Sequence, residues 1–215
     1  MTTHVISKHA SLGGVAVVAA AALMLAGCAG PAPGPAASPE STQSAAASAS
    51  PSPMPTLTAA PAYKPASASG PAQNVPVPVL PAVAKTKTKE GLEAFTKYWY
   101  QLLDYGYQTG DTRPLAGASA PGCRFCAGLR EGIEEAWGEG RWVVGGKIET
   151  PAITARLAPG QDAYSVVQVI QQDVEIRRPD GTLYQDPTPS TNSGSRASAT
   201  FGPDGWAMDE IGFIG

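Results

Sequence analysis

Two of the three cysteines in this 215-residue chain stand in "PGCRFCAG" (121–128), and the third, Cys28, follows Leu-Ala-Gly. A C-x-x-C pair can serve as a dithiol redox centre, as half of a metal site, or as a structural disulfide. Both histidines, His4 and His9, lie at the start of the chain. The rest of the chain therefore cannot build a Ser-His-Asp or Cys-His catalytic site, an imidazole-ligated zinc, or an imidazole pH sensor. Cys123 and Cys126 alone make a poor zinc site, because structural zinc takes four ligands. No metal and no cofactor is expected.

The segment around Cys28 decides how the pair at 121–128 is read. After Lys8 comes an uncharged run, SLGGVAVVAAAALMLAG. It falls short of the ~20 residues a membrane-spanning helix needs and ends in small residues, as a signal-peptide core does. Leu25-Ala26-Gly27-Cys28 resembles the lipobox of bacterial lipoproteins. That resemblance implies cleavage before Cys28 and lipidation of its sulfur, which tethers the protein to the outer side of the cell membrane. It also places both histidines in the removed segment. The lipoprotein modification supplies a diacylglyceryl group, and more than one acyl chain is what stable anchoring requires.

On that side of the membrane, thiols without a redox duty are usually oxidised. At i,i+3 in the first turn of a helix, Cys123 and Cys126 can bond to each other, and a ~4-residue loop contributes roughly 2 kcal/mol. The rival is a thiol-disulfide exchanger, with Cys123 activated by a helix N-terminus and by Arg124. A thioredoxin-like site needs a strand feeding the motif, and here a loop precedes it.

From residue 29 to 84 the chain is almost wholly Ala, Pro and Ser, with Glu40 and Lys64 its only charges. Such a composition predicts a disordered, partly polyproline-II spacer. The expected organisation is a signal peptide over 1–27, a lipid-anchored linker over 28–84 and one domain over 85–215. That last stretch holds all four tryptophans and all four phenylalanines, with thirteen basic and seventeen acidic residues and no basic run. Such a surface offers no electrostatic reason to bind nucleic acid.

In "TKEGLEAFTKYWYQLLDYGYQTGD", Leu92, Phe95, Trp99 and Leu102 recur at helical spacing opposite Glu93, Lys97, Gln101, Asp104 and Gln108. Thr88 is the expected N-cap, Glu93 and Lys97 an i,i+4 pair, and Gly110 the terminator. A short helix or turn follows Asp111, and a third helix starts near Cys123 with Leu129, Ile133 and Trp137 on one face. "RWVVGGKIETPAITARL" and "AYSVVQVIQQDVEIR" predict a long hairpin. In its second arm Tyr164, Val166, Gln168, Ile170 and Gln172 share a face. "SRASATF" and "WAMDEIGFI" predict a final hairpin across "GPDG". Asp173, Glu175 and Arg177 suit a solvated charge ladder, while Asp209 and Glu210 point to opposite faces.

Helices followed by antiparallel strands predict an α+β domain in which the N-terminal helices pack on a curved antiparallel sheet. This order resembles the nuclear-transport-factor-2-like (ketosteroid-isomerase-like) fold. The lipobox, the spacer, "KEGLEAFTKYWYQLLDYGYQTGDTRPL", "GCRFCAGL" and the terminal hairpin together resemble an uncharacterised family of actinobacterial lipoproteins. The resemblance implies a location and a fold, and no known activity. Because the fold can host an Asp base beside a Tyr donor, Asp104, Tyr100 and Tyr107 invite an isomerase reading, but Asp104 falls on the polar stripe of its helix. No catalytic residue is assigned. Folds of this shape commonly enclose an apolar cavity, with Tyr98, Trp99, Trp142, Gln168 and Gln172 as candidate lining residues. The expected role is a membrane-anchored, non-enzymatic module of the cell envelope that binds a small molecule or an envelope protein. A small isomerase-like enzyme and an envelope redox protein are the alternatives.

Overall fold

The computed structural model describes residues 61–214. The expected signal segment, Cys28 and the linker up to residue 60 lie outside the described residues. In order, the chain forms α1 (Lys89–Thr109), α2 (Arg113–Gly117), α3 (Arg124–Ala136), β1 (Trp142–Gly145), β2 (Ile148–Arg156), β3 (Tyr164–Gln171), β4 (Val174–Arg177), β5 (Thr191–Gly202) and β6 (Gly205–Ile214). The architecture is mixed α+β with antiparallel sheets. Strands β2-β3-β5-β6 make one sheet, and β1 pairs with β4 in a second. Among the described residues no helix is long and apolar enough to cross a membrane.

Helix α1 begins where a hydroxyl can cap it: the Gly91 N–H donates to Thr88 Oγ1 at 3.0 Å. It ends at Gly110, whose φ of 72° is left-handed and whose missing Cβ would lie 2.8 Å from the Trp137 ring. Its buried face, Leu92, Phe95, Trp99 and Leu102, meets a row of mostly small residues. Strand register sets Ala155, Ser165, Ala197 and Ile211 side by side across the four strands. Those small side chains let the helix backbone come close. Thr96 and Ser165, both wholly buried, share a hydrogen bond of 2.9 Å between their hydroxyls.

The first long hairpin forms, but it is folded in two. Its pairing runs from Trp142↔Arg177 to Gly145↔Val174 and resumes at Ile148↔Gln171. Between these, Gly145 and Gly146 adopt φ of 78° and 68°. A Cβ on Gly145 would sit 2.3 Å from the Asp173 carbonyl oxygen, so only glycine can make this bend. The β1–β4 ribbon thereby leaves the main sheet.

Two sequence expectations are corrected here. Residues 61–84, assigned by composition to the disordered linker, pack on the domain as an ordered arm. The Trp142 indole N–H donates to the Ser67 carbonyl at 2.8 Å, the Tyr63 hydroxyl donates to Gln108 Oε1 at 2.9 Å, and Ala84 is buried in the core. Prolines preset much of this backbone, so ordering it costs less entropy than its composition suggests. The Glu93–Lys97 pair gives way to a bond with the sheet. Glu93 Oε1 accepts from the Ala155 N–H at 2.9 Å, and Asp104 Oδ1 accepts from the Ile148 N–H at 2.9 Å. β2 lies at the edge of its sheet, and the acidic residues of α1 satisfy donors that would otherwise be left unpaired.

Candidate binding pocket between the helices and the sheet

A pocket of about 270 Å³ opens between α1, α3 and the sheet face. Helix α1 contributes Tyr100, Leu103 and Tyr107, while α3 contributes Phe125 and Leu129. The strands supply Ile148, Val169, Gln171, Thr191, Ser193, Ser195, Ile211 and Phe213. None of these side chains is ionisable near neutral pH. The polar groups are hydroxyls and one amide, set in an apolar wall.

The Tyr100 and Ser195 hydroxyls lie 2.7 Å apart, and both residues are buried. Burial pushes the Tyr100 phenol above its ordinary value, and the Ser195 hydrogen bond pulls it partway back. The phenol therefore stays protonated at neutral pH. At the mouth, the Phe125 and Phe213 rings meet edge to face, with centroids 5.6 Å apart. Phe213 is 73% exposed, which leaves an apolar rim on the opening. Such a site can bury an uncharged apolar body and exchange hydrogen bonds with a hydroxyl or carbonyl at its floor.

Phe125 stands between the two cysteines. The Cys123 and Cys126 sulfurs are at disulfide distance, 1.94 Å, with Cα atoms 5.3 Å apart. Both residues are buried, and the Cys126 N–H donates to Cys123 Sγ at 3.2 Å to cap α3. A buried pair gives a partner thiol poor access, which counts against exchange chemistry.

The expected lining residues go elsewhere. Trp99 is wholly buried in the core and donates from Nε1 to Ser119 Oγ at 2.9 Å. Trp142 holds the arm. Tyr98 packs at the core margin. Gln168 is exposed, donating to Asn192 Oδ1 on the far face of the sheet. Gln172 lines a different cavity, a cleft of about 1010 Å³ between the arm and the α1/β1 surface. The inward face of β3 is the alternate set Ser165, Val167, Val169 and Gln171. Both faces carry valines, so hydrophobic alternation did not choose between them. The small Ser165 and Ala197 that admit α1 did.

Asp104 also departs from expectation. Its carboxylate is half-buried in the arm cleft, taking the Ile148 N–H on one oxygen and the Gln108 Nε2 on the other at 2.7 Å. Desolvation holds its pKa above the ordinary carboxylate value, against the lowering effects of those two bonds and of Lys147. Tyr100 and Tyr107 face the pocket while Asp104 faces the cleft, so the fold does not assemble an aspartate base beside a tyrosine donor. Elsewhere, Arg177 bonds Glu175 while Asp173 accepts from the Ser190 N–H, and Asp209 accepts from Thr200. Among the described residues no group of three or more His, Cys, Asp or Glu is placed to hold a metal ion.

Solved structures with a similar backbone include the intermembrane space region of the chloroplast protein ARC6, at 8% identity and TM-score 0.43, covering 60% of this chain and 98% of that one. Aln2 from a Streptomyces species matches at 12% identity and TM-score 0.40, covering 60% and 93%. An uncharacterised protein with a cystatin-like fold from Caulobacter vibrioides matches at 14% and 0.39, covering 58% and 91%. No curated protein matches the chain by sequence. The family model for a family of unknown function (DUF6318) matches residues 61–212, from the first described residue of the arm to the last strand, and the chain belongs to that family.

Proposed function

We propose that this chain is a lipid-anchored, extracytoplasmic lipoprotein of an actinobacterial type, with Cys28 as the anchor, whose domain binds a small, uncharged, largely apolar molecule. The Leu-Ala-Gly-Cys motif behind an uncharged run supports the anchor and the address. Three helices followed by a hairpin-built antiparallel sheet support a nuclear-transport-factor-2-like assignment for the domain. The observation that carries the binding role is the pocket itself: an apolar wall without a charged group and a neutral Tyr100–Ser195 pair at its floor. Its volume, about 270 Å³, is near the lower end of the roughly 300–1,000 Å³ typical of ligand sites. With no carboxylate, imidazole or amine among its lining residues to activate the hydroxyls, binding is the chemistry this pocket supports.

The probe is 1-naphthol, a neutral fluorescent bicyclic phenol. It should bind the mature chain saturably. Val169→Phe, which fills the pocket, should abolish that binding. Tyr100→Phe removes one hydrogen bond of about 0.5–1.5 kcal/mol and should weaken it roughly 3- to 10-fold. Binding unaffected by Val169→Phe would place the probe elsewhere and remove this reading.

A further inference from the structure

Three hydrogen bonds join the arm to the pocket wall. The Tyr63 hydroxyl donates to Gln108 Oε1 at 2.9 Å, Gln108 Nε2 donates to Asp104 Oδ2 at 2.7 Å, and the Ile148 N–H donates to Asp104 Oδ1 at 2.9 Å. Tyr63, Gln108 and Asp104 line the arm cleft, whereas Ile148 lines the binding pocket. One strand junction thus forms a wall shared by both cavities.

The polarity of this relay is fixed. A carboxylate only accepts, so Gln108 must turn its amide nitrogen to Asp104. That turns its oxygen to the arm, where the Tyr63 phenol can donate. Flipping the amide would set two acceptors against each other at Asp104 and lose the bond. Each contact therefore selects the next. Lys147 and Glu149 also face this carboxylate with opposite signs, and Lys147 Nζ is already bonded to Glu149 Oε1 at 2.6 Å.

The relay ends where the sheet ladder is irregular and open on one side. Ile148 follows the Gly145–Gly146 bend and begins an edge strand whose register shifts again between Glu149 and Ala152. Its pairing partner across the ladder, Gln171, also lines the pocket. The Gln172 N–H donates to the Lys147 carbonyl at 3.0 Å on the inner side, and Asp104 holds the outer, edge side of the start of β2. The other end is weakly held, because Tyr63 is 51% exposed.

We propose that docking of the arm is thermodynamically coupled to this wall of the pocket, with Gln108 and Asp104 as positioning residues that carry the coupling. The docked arm holds Ile148 in place. A molecule packed against Ile148 in turn favours the docked arm, by the same factor. The ligand half of this statement rests on the binding role proposed above. The arm is also the segment that leads toward Cys28, so occupancy of the pocket would set tether length: releasing roughly 20 residues at ~3.1 Å each adds about 60 Å of reach.

Amide and indole hydrogen exchange on the full mature chain, read by NMR, tests the coupling without any ligand. Tyr63→Phe, at an exposed position that leaves folding intact, should speed exchange at the Ile148 N–H about 3- to 10-fold, the equivalent of one hydrogen bond. Asp104→Asn should speed exchange at the Trp142 indole N–H, which reports arm docking through Ser67. Unchanged exchange at Ile148 in Tyr63→Phe overturns the proposal, as does unchanged exchange at Trp142 in Asp104→Asn. Saturating 1-naphthol should slow Trp142 indole exchange in the wild type and leave it unaltered in Asp104→Asn. Failure of 1-naphthol to bind the wild type would remove the pocket reading, while the ligand-free measurements still decide the coupling.

Discussion

The Tyr100 hydroxyl on α1 meets the Ser195 hydroxyl on β5 at 2.7 Å, within the mostly apolar wall of the pocket. The pair joins helix to sheet and is the polar floor of the pocket, so it bears on stability and recognition together. Ser195→Ala should cost about 1–3 kcal/mol, because it strands a buried phenol. Tyr100→Phe strands a smaller group and should cost less. The double variant should fall short of the sum of the two, as partners in one bond do. Urea denaturation of the three variants measures this coupling.

The bend at Gly145 gives a sharper stability test. Gly145→Ala places a Cβ 2.3 Å from a backbone carbonyl at φ 78°. A glycine-to-alanine change at a compatible position gains about 0.4–1 kcal/mol; here the expected effect is a loss larger than that, seen as a lowered melting temperature. A neutral result would mean that β1 and β4 can shift together without the left-handed bend.

Asp104 should imprint itself on the acid side of the stability profile. Its folded-state pKa is raised by burial, so between the unfolded and folded values the native state binds more protons than the unfolded chain. Stability then falls as pH rises through that window and is greatest below it. Asp104→Asn should flatten this slope, as read from denaturant midpoints across the carboxylate range.

For the cysteine pair, intact mass before and after reduction and alkylation should show one disulfide joining Cys123 and Cys126 in protein recovered from the envelope. Replacing both with serine should leave a folded chain that is less stable by ~1–3 kcal/mol, because so short a loop constrains the unfolded state only modestly. Two thiols that alkylate without reductant would instead favour the redox alternative.

Labelled fatty acid should enter the wild-type chain and not Cys28→Ser. Equal incorporation in both would remove the anchor, and with it the compartment that favours an oxidised pair.

Local signals in the sequence determined the elements. Thr88, Gly110 and Cys123 mark helix ends because caps and terminators act within four residues, and the helical spacing of Leu92, Phe95, Trp99 and Leu102 names the buried face of α1. The α+β order and the two hairpins were legible for the same reason. What the tertiary structure alone decided is the pairing of faces. Valines stand on both sides of β3, so the inward side was settled by Ser165 and Ala197, whose smallness matters only once α1 lies on them. Asp104 and Glu93 look like a solvated stripe until an edge strand brings its unpaired N–H groups to them. The arm looks like spacer until Trp142, seventy-five residues away from Ser67, supplies a donor for its carbonyl. The pocket belongs to that second group, because its floor and mouth come from pairs, Tyr100 with Ser195 and Phe125 with Phe213, that only chain folding brings within reach.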